Sequence, residues 1–269
     1  MLSKNQIKLI KSLETKKNRK REGLFVAEGP KVVGDLLRAG YVPHSIFSTQ
    51  PTPIACHTQT FRSENTHHPS PILITDDELR RISFLQHPQD VLAVFYIPES
   101  PLTSHLSSLT SHLSLALDGV QDPGNVGTII RIADWFGITH IYCSPDTADV
   151  YNPKVVQATM GSLAHVNITY CDLVTLLREA NVPVYGTLLD GQDIYQQPLS
   201  DKGIIVMGNE GNGISTEVRQ LVTHKLLIPN FNKNSETAES LNVAIATAIT
   251  FSEFKRRQRH TLTQGQRRS

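Results

Sequence analysis

Cysteine is scarce. The chain has three in 269 residues, Cys56, Cys143 and Cys171. An odd number at wide spacing argues against a disulfide framework or a zinc site and predicts free buried thiols in a reducing cytoplasm. Long apolar runs are missing too. No stretch approaches the roughly 18 residues of a membrane span, and the N-terminus lacks the apolar core of a signal peptide, so no membrane partner is expected. The 11 histidines show no metal-ligand spacing, and His67-His68 lies in a polar stretch that reads as solvated. No metal is expected. No internal repeat or low-complexity segment appears. Net charge is only +1 at pH 7, so bulk charge does not point to a polyanionic partner.

The distribution of charge is more informative. Lys4, Lys8, Lys11, Lys16, Lys17, Arg19, Lys20 and Arg21 crowd the N-terminus, with Glu14 and Glu22 among them. Lys255, Arg256, Arg257, Arg259, Arg267 and Arg268 crowd the C-terminus. Clustered cations are the footprint of a phosphate-backbone binder. A solvated helix face or tail is the alternative reading, and both stay open.

Hydrophobic content of 39% supplies a core, and the length allows one large or two ordinary domains. Ser3 with Gln6 three residues on is a capping-box pattern, and Ile7, Ile10 and Leu13 give the helix behind it an apolar stripe. A basic connector leads to a strand over 24–27. Pro30 opens a helix that Gly40 stops. Strands over 45–47, 72–74 and 91–97 follow, with a helix capped by Thr75 and Glu78 before the last. Residues 50–71 read as a mobile loop. This makes a small α/β domain over 1–98, a Pro/Ser/Thr linker over 99–112 and a second domain over 113–269.

In the second domain a strand over 115–117 enters a polar loop. Asn125 caps the helix behind it and Gly137 stops it. Val126, Ile129, Ile130, Ala133 and Phe136 form its core stripe. Arg131 lies off that stripe, on a face with Gly127, Thr128 and Trp135. Next come a strand over 140–143, a helix begun by Asn152-Pro153 with Gly161 inside it, and a strand through Val166, Ile168 and Tyr170. Asp172 caps a short helix, a strand spans 182–189, and Asp190-Gly191 is a turn. Ser215 caps a helix through Leu221. The last helix, 241–254, is apolar nearly all round and must be buried, inside the fold or on a second subunit.

Two short apolar runs, 204–207 and 226–228, pass abruptly into polar loops, as buried parallel strands do, and ligands of such sheets sit at the carboxyl ends. The first loop is Gly208-Asn209-Glu210-Gly211-Asn212-Gly213. It is not a Walker loop, because Ile214 stands where Lys is needed, and its G-x-x-G-x-G order is not the dinucleotide fingerprint. By spacing alone it is either a surface turn or a ligand site.

Three segments together resemble the three motifs of the SpoU (TrmH-like) RNA ribose methyltransferases of the SPOUT superfamily. They are D-x-V-x-D-P-x-N-x-G-x-I-x-R from Asp118 to Arg131, M-G-N-E-G-x-G-I from Met207 to Ile214, and I-P at Ile228-Pro229 with S-L-N-V-A-x-A from Ser240 to Ala246. Asn5, Ile7, Lys8, Ile10 and Leu13, with F-V-A-E-G-x-K-V-V from Phe25 to Val33, are more loosely similar to the substrate-binding domain such enzymes carry. Glu28-Gly29 is either a strand-to-helix turn or an RNA-facing loop.

The resemblance implies a parallel-sheet α/β SPOUT domain with a deep C-terminal trefoil knot, homodimeric beside the knot and preceded by a small α/β RNA-binding domain. It implies methyl transfer from S-adenosyl-methionine to a ribose 2′-hydroxyl, with 23S ribosomal RNA favoured because an RNA-reading domain precedes the catalytic one. Transfer RNA, or a catalytically silent RNA-binding relative, are the alternatives. A nucleotide-dependent oxidoreductase lacks its fingerprint. The catalytic positions carried over are Asn125, Arg131, Glu210, Ser240 and Asn242. Donor contacts carried over are Met207, Gly208, Gly213, Ile228, Leu241 and Asn242. An Arg keeps its proton, so the role expected of Arg131 is to clamp phosphate and stabilise the developing alkoxide. Glu210 is expected to orient Arg131 or Asn125 rather than act as base. Family members often have a Gly in a shorter spacer between I-P and S-L-N, whereas 230–239 is longer and has none.

Overall fold

The computed structural model of the chain describes residues 2–51, 69–98, 112–232 and 239–266, the last eight of these by backbone alone. Most of the 50–71 loop, all of the 99–112 linker but His112, and most of the 230–239 spacer lie outside the described residues. Contacts divide the chain into two units, Met1–Glu99 with Asp149–His165, and Ser100–Ala148 with Val166–Ser269.

In the first unit, α1 (Lys4–Ser12) starts at the expected capping box. Ser3 Oγ accepts from the Gln6 amide at 3.2 Å and Gln6 Oε1 accepts from the Ser3 amide at 2.9 Å. The basic run is not a connector. It forms a second helix, α2 (Lys16–Glu22), capped by Thr15 and stopped by Gly23 at φ 65, a left-handed conformation that side chains with a Cβ resist. Then come β1 (Leu24–Glu28), α3 (Pro30–Arg38), β2 (Pro43–Ser48), β3 (Ile72–Leu73), α4 (Asp76–Ile82) and β4 (Val91–Tyr96). The sheet order is β1-β4-β2-β3, antiparallel except for β2 with β3. Ile10, Leu13, Val26, Phe47, Ile82, Leu92 and Val94 make its core. Glu28-Gly29 is the strand-to-helix turn. The Glu28 carboxylate is buried, accepting from Ser83 Oγ and the Phe84 amide, and burial pushes its carboxyl up.

The segment Asp149–His165 belongs to this unit, where the sequence pattern assigned it to the second domain. Asp149 pairs with buried Arg19. Tyr151 packs on Phe25 with ring centroids 4.8 Å apart, and Tyr41 donates to the Leu163 carbonyl. Helix α6 (Pro153–Ala158) ends before Gly161, which sits at φ 98 and starts a 3₁₀ turn, Ser162–Ala164, rather than lying within the helix.

The second unit holds β5 (Leu113–Asp118), α5 (Pro123–Trp135), β6 (His140–Cys143), β7 (Asn167–Tyr170), α7 (Leu173–Glu179), β8 (Val184–Asp193), β9 (Gly203–Gly208), α8 (Thr216–Arg219), β10 (His224–Leu227) and α9 (Val243–Gln266). Its sheet order is β10-β8-β9-β5-β6-β7, with every pairing parallel. The loops that follow its strands therefore gather along one edge. Strand β8 runs through Asp190-Gly191 instead of turning there. A Cβ on Gly191 would lie 2.5 Å from the Leu226 carbonyl carbon, so this glycine serves a close strand approach. Helix α8 stops at Arg219, short of Leu221, and the Ser215 side chain does not cap it.

Helix α9 extends well past residue 254 and is not buried all round. Val243, Ala244, Thr247, Thr250, Phe251 and Phe254 are buried, but Ile245 is 52% exposed. Thr247 and Thr250 return their hydroxyls to the carbonyls of Val243 and Ala246, which lets them sit in an apolar face. Phe251 meets Phe136 at the end of α5, and Phe254 meets Tyr185 of β8. Cys143 is free and buried, and burial pushes its thiol well up. Cys171 is free and half-buried, pushed up to about 11, and Cys56 lies outside the described residues.

Candidate functional site

Three polar segments follow the central strands β5 and β9 and the edge strand β10. Asp118 and Gly208 are register partners at the ends of β5 and β9, so the first two loops leave the sheet side by side. Gly208 has no room for a side chain, since a Cβ would lie 2.2 Å from the Gly213 carbonyl carbon and 2.3 Å from the Ile214 nitrogen. The loop folds back on itself there. Asn209 and Gly213 exchange both backbone hydrogen bonds at 2.9 Å, and Gly213 turns at φ 71. Gly211 and Gly213 are exposed. Met207 is buried with its sulfur 3.4 Å from Thr187 Oγ1, so its side chain is committed to the core.

Glu210 reaches from this loop to the loop after β5. Its carboxylate accepts from the Gln121 and Asp122 amides, each at 3.2 Å, and from Asn125 Nδ2 at 3.0 Å. Partial burial pushes its carboxyl up, but the hydrogen bonds from Asn125 and from backbone amides outweigh that and hold it below the ordinary carboxylate range. Asn125 in turn accepts at Oδ1 from Asn242 Nδ2 at 2.9 Å. Asn242 Oδ1 caps the first turn of α9, accepting from Ala244 and Ile245. The result is a directed relay, Asn242 to Asn125 to Glu210, with one residue from each of three distant segments.

Asn125 is free for this because it does not cap α5. Asp122 does, its carboxylate accepting from the Asn125 amide at 2.7 Å, with Pro123 preset for the first helical position. Arg131 lies two turns along the same helix. It is exposed with Thr128 and Trp135, the latter 85% exposed, and it makes no hydrogen bond or ion pair with a described residue. Glu210 therefore orients Asn125 and not Arg131. Ser240 and Leu241 are exposed ahead of α9, and Ile228 is half-buried just beyond β10. The structure gives Ser240 no hydrogen bond to the relay.

Three further residues hold the loops. Asp118 is buried and accepts from the Ser215 amide at 2.7 Å. Ser144, after β6, accepts from the Gly119 amide at 2.8 Å. Asn209 bonds across to Gly119. Asp118 and Asn209 stand inside the motif strings, but a string gives no partner. Nothing in the sequence marks Ser144.

The basic clusters are partly structural. Arg19 is 1% exposed and donates to Asp149 and to the carbonyls of Leu13 and Glu14. Lys11 donates to the Ser83 carbonyl and lies over the Phe84 ring. Arg256 and Arg257 both clasp the Glu253 carboxylate, and Arg257 also reaches the Tyr195 carbonyl. Lys4, Lys8, Lys17 and Lys20 remain exposed, without a partner among the described residues. Among the described residues no cluster of His, Cys, Asp and Glu could hold a metal ion, and no helix is long and apolar enough to cross a membrane.

Residues 112–252 match the model of the SpoU rRNA Methylase family, and residues 4–93 match the MRM3-like substrate binding domain. The Bacillus subtilis 23S rRNA (guanosine(2553)-2′-O)-methyltransferase RlmP is 32% identical over 252 residues, 92% of this chain and 95% of that protein. The structure of a TrmH-family protein from Porphyromonas gingivalis is 44% identical, with a TM-score of 0.82 over 96% of this chain and 99% of the other. That of an AdoMet-bound rRNA methyltransferase from Sinorhizobium meliloti is 30% identical, with a TM-score of 0.81 over 96% of both chains. With a family match over more than half its length and a relative this similar nearly end to end, the chain belongs to the SpoU rRNA methylase family.

Proposed function

We propose that this protein transfers a methyl group from S-adenosyl-methionine to a ribose 2′-hydroxyl of ribosomal RNA, with 23S RNA the favoured substrate. The observation that carries the reading is the Asn242–Asn125–Glu210 relay, with Arg131 exposed further along the helix that carries Asn125 and without a partner among the described residues. A binding-only relative has no chemical need to connect these groups, which disfavours the silent alternative. Ribosomal RNA is favoured over transfer RNA by the names of the similar proteins.

The donor is assigned to the segments around 207–213 and 228–243. When bound, it supplies an electrophilic methyl carbon and a neutral thioether leaving group. The loop fits such a ligand, since Gly208, Gly211 and Gly213 bring backbone close and no cation is present, as suits a neutral adenine read by N–H and C=O groups. Met207, Gly208, Gly213, Ile228, Leu241 and Asn242 are the contacts assigned. Arg131 holds the target phosphate and stabilises the alkoxide as the hydroxyl passes its proton to that phosphate. Glu210 is anionic, saturated with donors and held below the usual carboxylate range, so it organises Asn125 and is a poor base. Ser240 and Asn242 position substrate and the donor's methionine end.

The reading includes an RNA-binding domain built on 1–98, a catalytic domain within 113–269 from which Asp149–His165 is set apart, the family's C-terminal knot, a homodimer and a cytoplasmic location. Calorimetry in metal-free buffer tests the donor assignment. Saturable binding of S-adenosyl-methionine or its demethylated product is expected, and no heat with either, with or without RNA, would overturn it.

A further inference from the structure

Asn209 uses every polar atom it has. Its backbone N–H and C=O are bonded to Gly213. Its side-chain oxygen accepts from the Gly211 amide at 2.9 Å and the Asn212 amide at 3.0 Å, which fixes the shape of the glycine loop. Its side-chain nitrogen donates to the Gly119 carbonyl at 2.6 Å, outside that loop. A flipped amide would set nitrogen against two N–H groups and oxygen against a carbonyl, so the orientation is fixed by its partners. The next residue, Glu210, binds Gln121, Asp122 and Asn125. Two adjacent side chains thus fasten the glycine loop to successive points of the loop that leads into α5 and Arg131. The receiving site is itself braced. Gly119 stands at φ 70 with its amide on Ser144 Oγ, and a Cβ there would lie 2.9 Å from Asp146 Oδ2.

We infer that Asn209 is a positioning residue that sets the donor loop against the Asn125–Arg131 segment. It acts with one half of its amide inside the loop and the other half between the loops. The inference rests on the proposed function only for what the two loops hold. The geometry of the tie stands without it. Separate halves allow separate tests. Asn209→Asp keeps an oxygen for the Gly211 and Asn212 amides but sets a second oxygen against the Gly119 carbonyl, so it breaks only the tie between loops. Asn209→Ala removes both halves.

Hydrogen exchange, donor titration and single-turnover methylation of rRNA at saturating donor test this on the full chain. Expected for Asn209→Asp are exchange of the Gln121 and Asp122 amides about tenfold or more faster, donor affinity within about threefold of wild type, and methyl transfer at least about tenfold slower. Asn209→Ala should lose donor affinity as well. A merely structural role would lower the melting temperature and donor affinity of both variants together and leave the saturated rate unchanged. Wild-type exchange and wild-type rate in Asn209→Asp would overturn the inference. If the wild-type protein binds no donor, the proposed function fails, and the exchange comparison still decides whether Asn209 holds the two loops together.

Discussion

In the proposed reading the chemistry turns on Arg131, and its surroundings say how to test it. It is exposed, without a partner among the described residues and one helical turn from Trp135, while Glu210 already accepts three hydrogen bonds. A fixed planar fork differs from a point charge in what it can clamp. Arg131→Lys is therefore expected to lower the single-turnover rate by about 10²–10³-fold while leaving donor affinity nearly unchanged. A wild-type rate would mean that charge alone, or nothing at this position, matters. Lost donor affinity would make the residue structural. The motif strings located Asn125, Glu210 and Asn242. What they could not provide is the direction of the relay, because Asn125 and Asn242 are 117 positions apart and meet only through the fold. The cap of α5 differs from the expectation for a related reason. Asp122 and Asn125 both favour helix starts, and the choice between them depends on Pro123 and on what else each side chain can reach.

Among the elements, α2 departs furthest from the expectation. A run of Lys and Arg without an apolar stripe reads as a solvated connector, yet the structure buries Arg19 against Asp149 and two carbonyls. A buried cation with four donated bonds to three acceptor groups is hard to infer from a charge cluster, and its anionic partner lies 130 residues away. Removing one partner of such a pair strands the other. Arg19→Ala is expected to destabilise the N-terminal unit by about 3–5 kcal/mol in urea unfolding, against less than about 0.5 kcal/mol for the exposed Lys20→Ala. Equal small effects would show that the pair contributes nothing. Strong local signals did predict elements well. The capping boxes at Ser3 and Thr75 hold in the structure, and Gly40 and Gly137, at φ 83 and φ 67, follow the ends of α3 and α5 as expected. Strand β8 runs past the expected end at 189, because Asp190-Gly191 is a turn signature only where no neighbouring strand needs the missing side chain.

At the scale of the whole molecule, the sheet of the catalytic unit was apparent from short apolar runs that end in polar loops, and its parallel order is what brings the three motif segments together. The assignment of Asp149–His165 to the first unit was not apparent, since it depends on pairings with Phe25, Tyr41 and Arg19. Helices α5 and α9 pack together and leave Trp135 and Ile245 exposed, two large apolar side chains that the proposed homodimer would cover. Light scattering is expected to give twice the chain mass, reduced to one chain mass in Trp135→Glu with Ile245→Glu; a wild-type monomer independent of concentration would contradict the dimer. The central claim is the transfer itself. Purified protein supplied with S-adenosyl-methionine labelled in its methyl group and with unmodified 23S ribosomal RNA should place the label in an alkali-resistant dinucleotide, because a 2′-O-methyl group blocks cleavage at its own phosphate. Label recovered on a base, or no label above the Arg131→Ala control, would contradict the account.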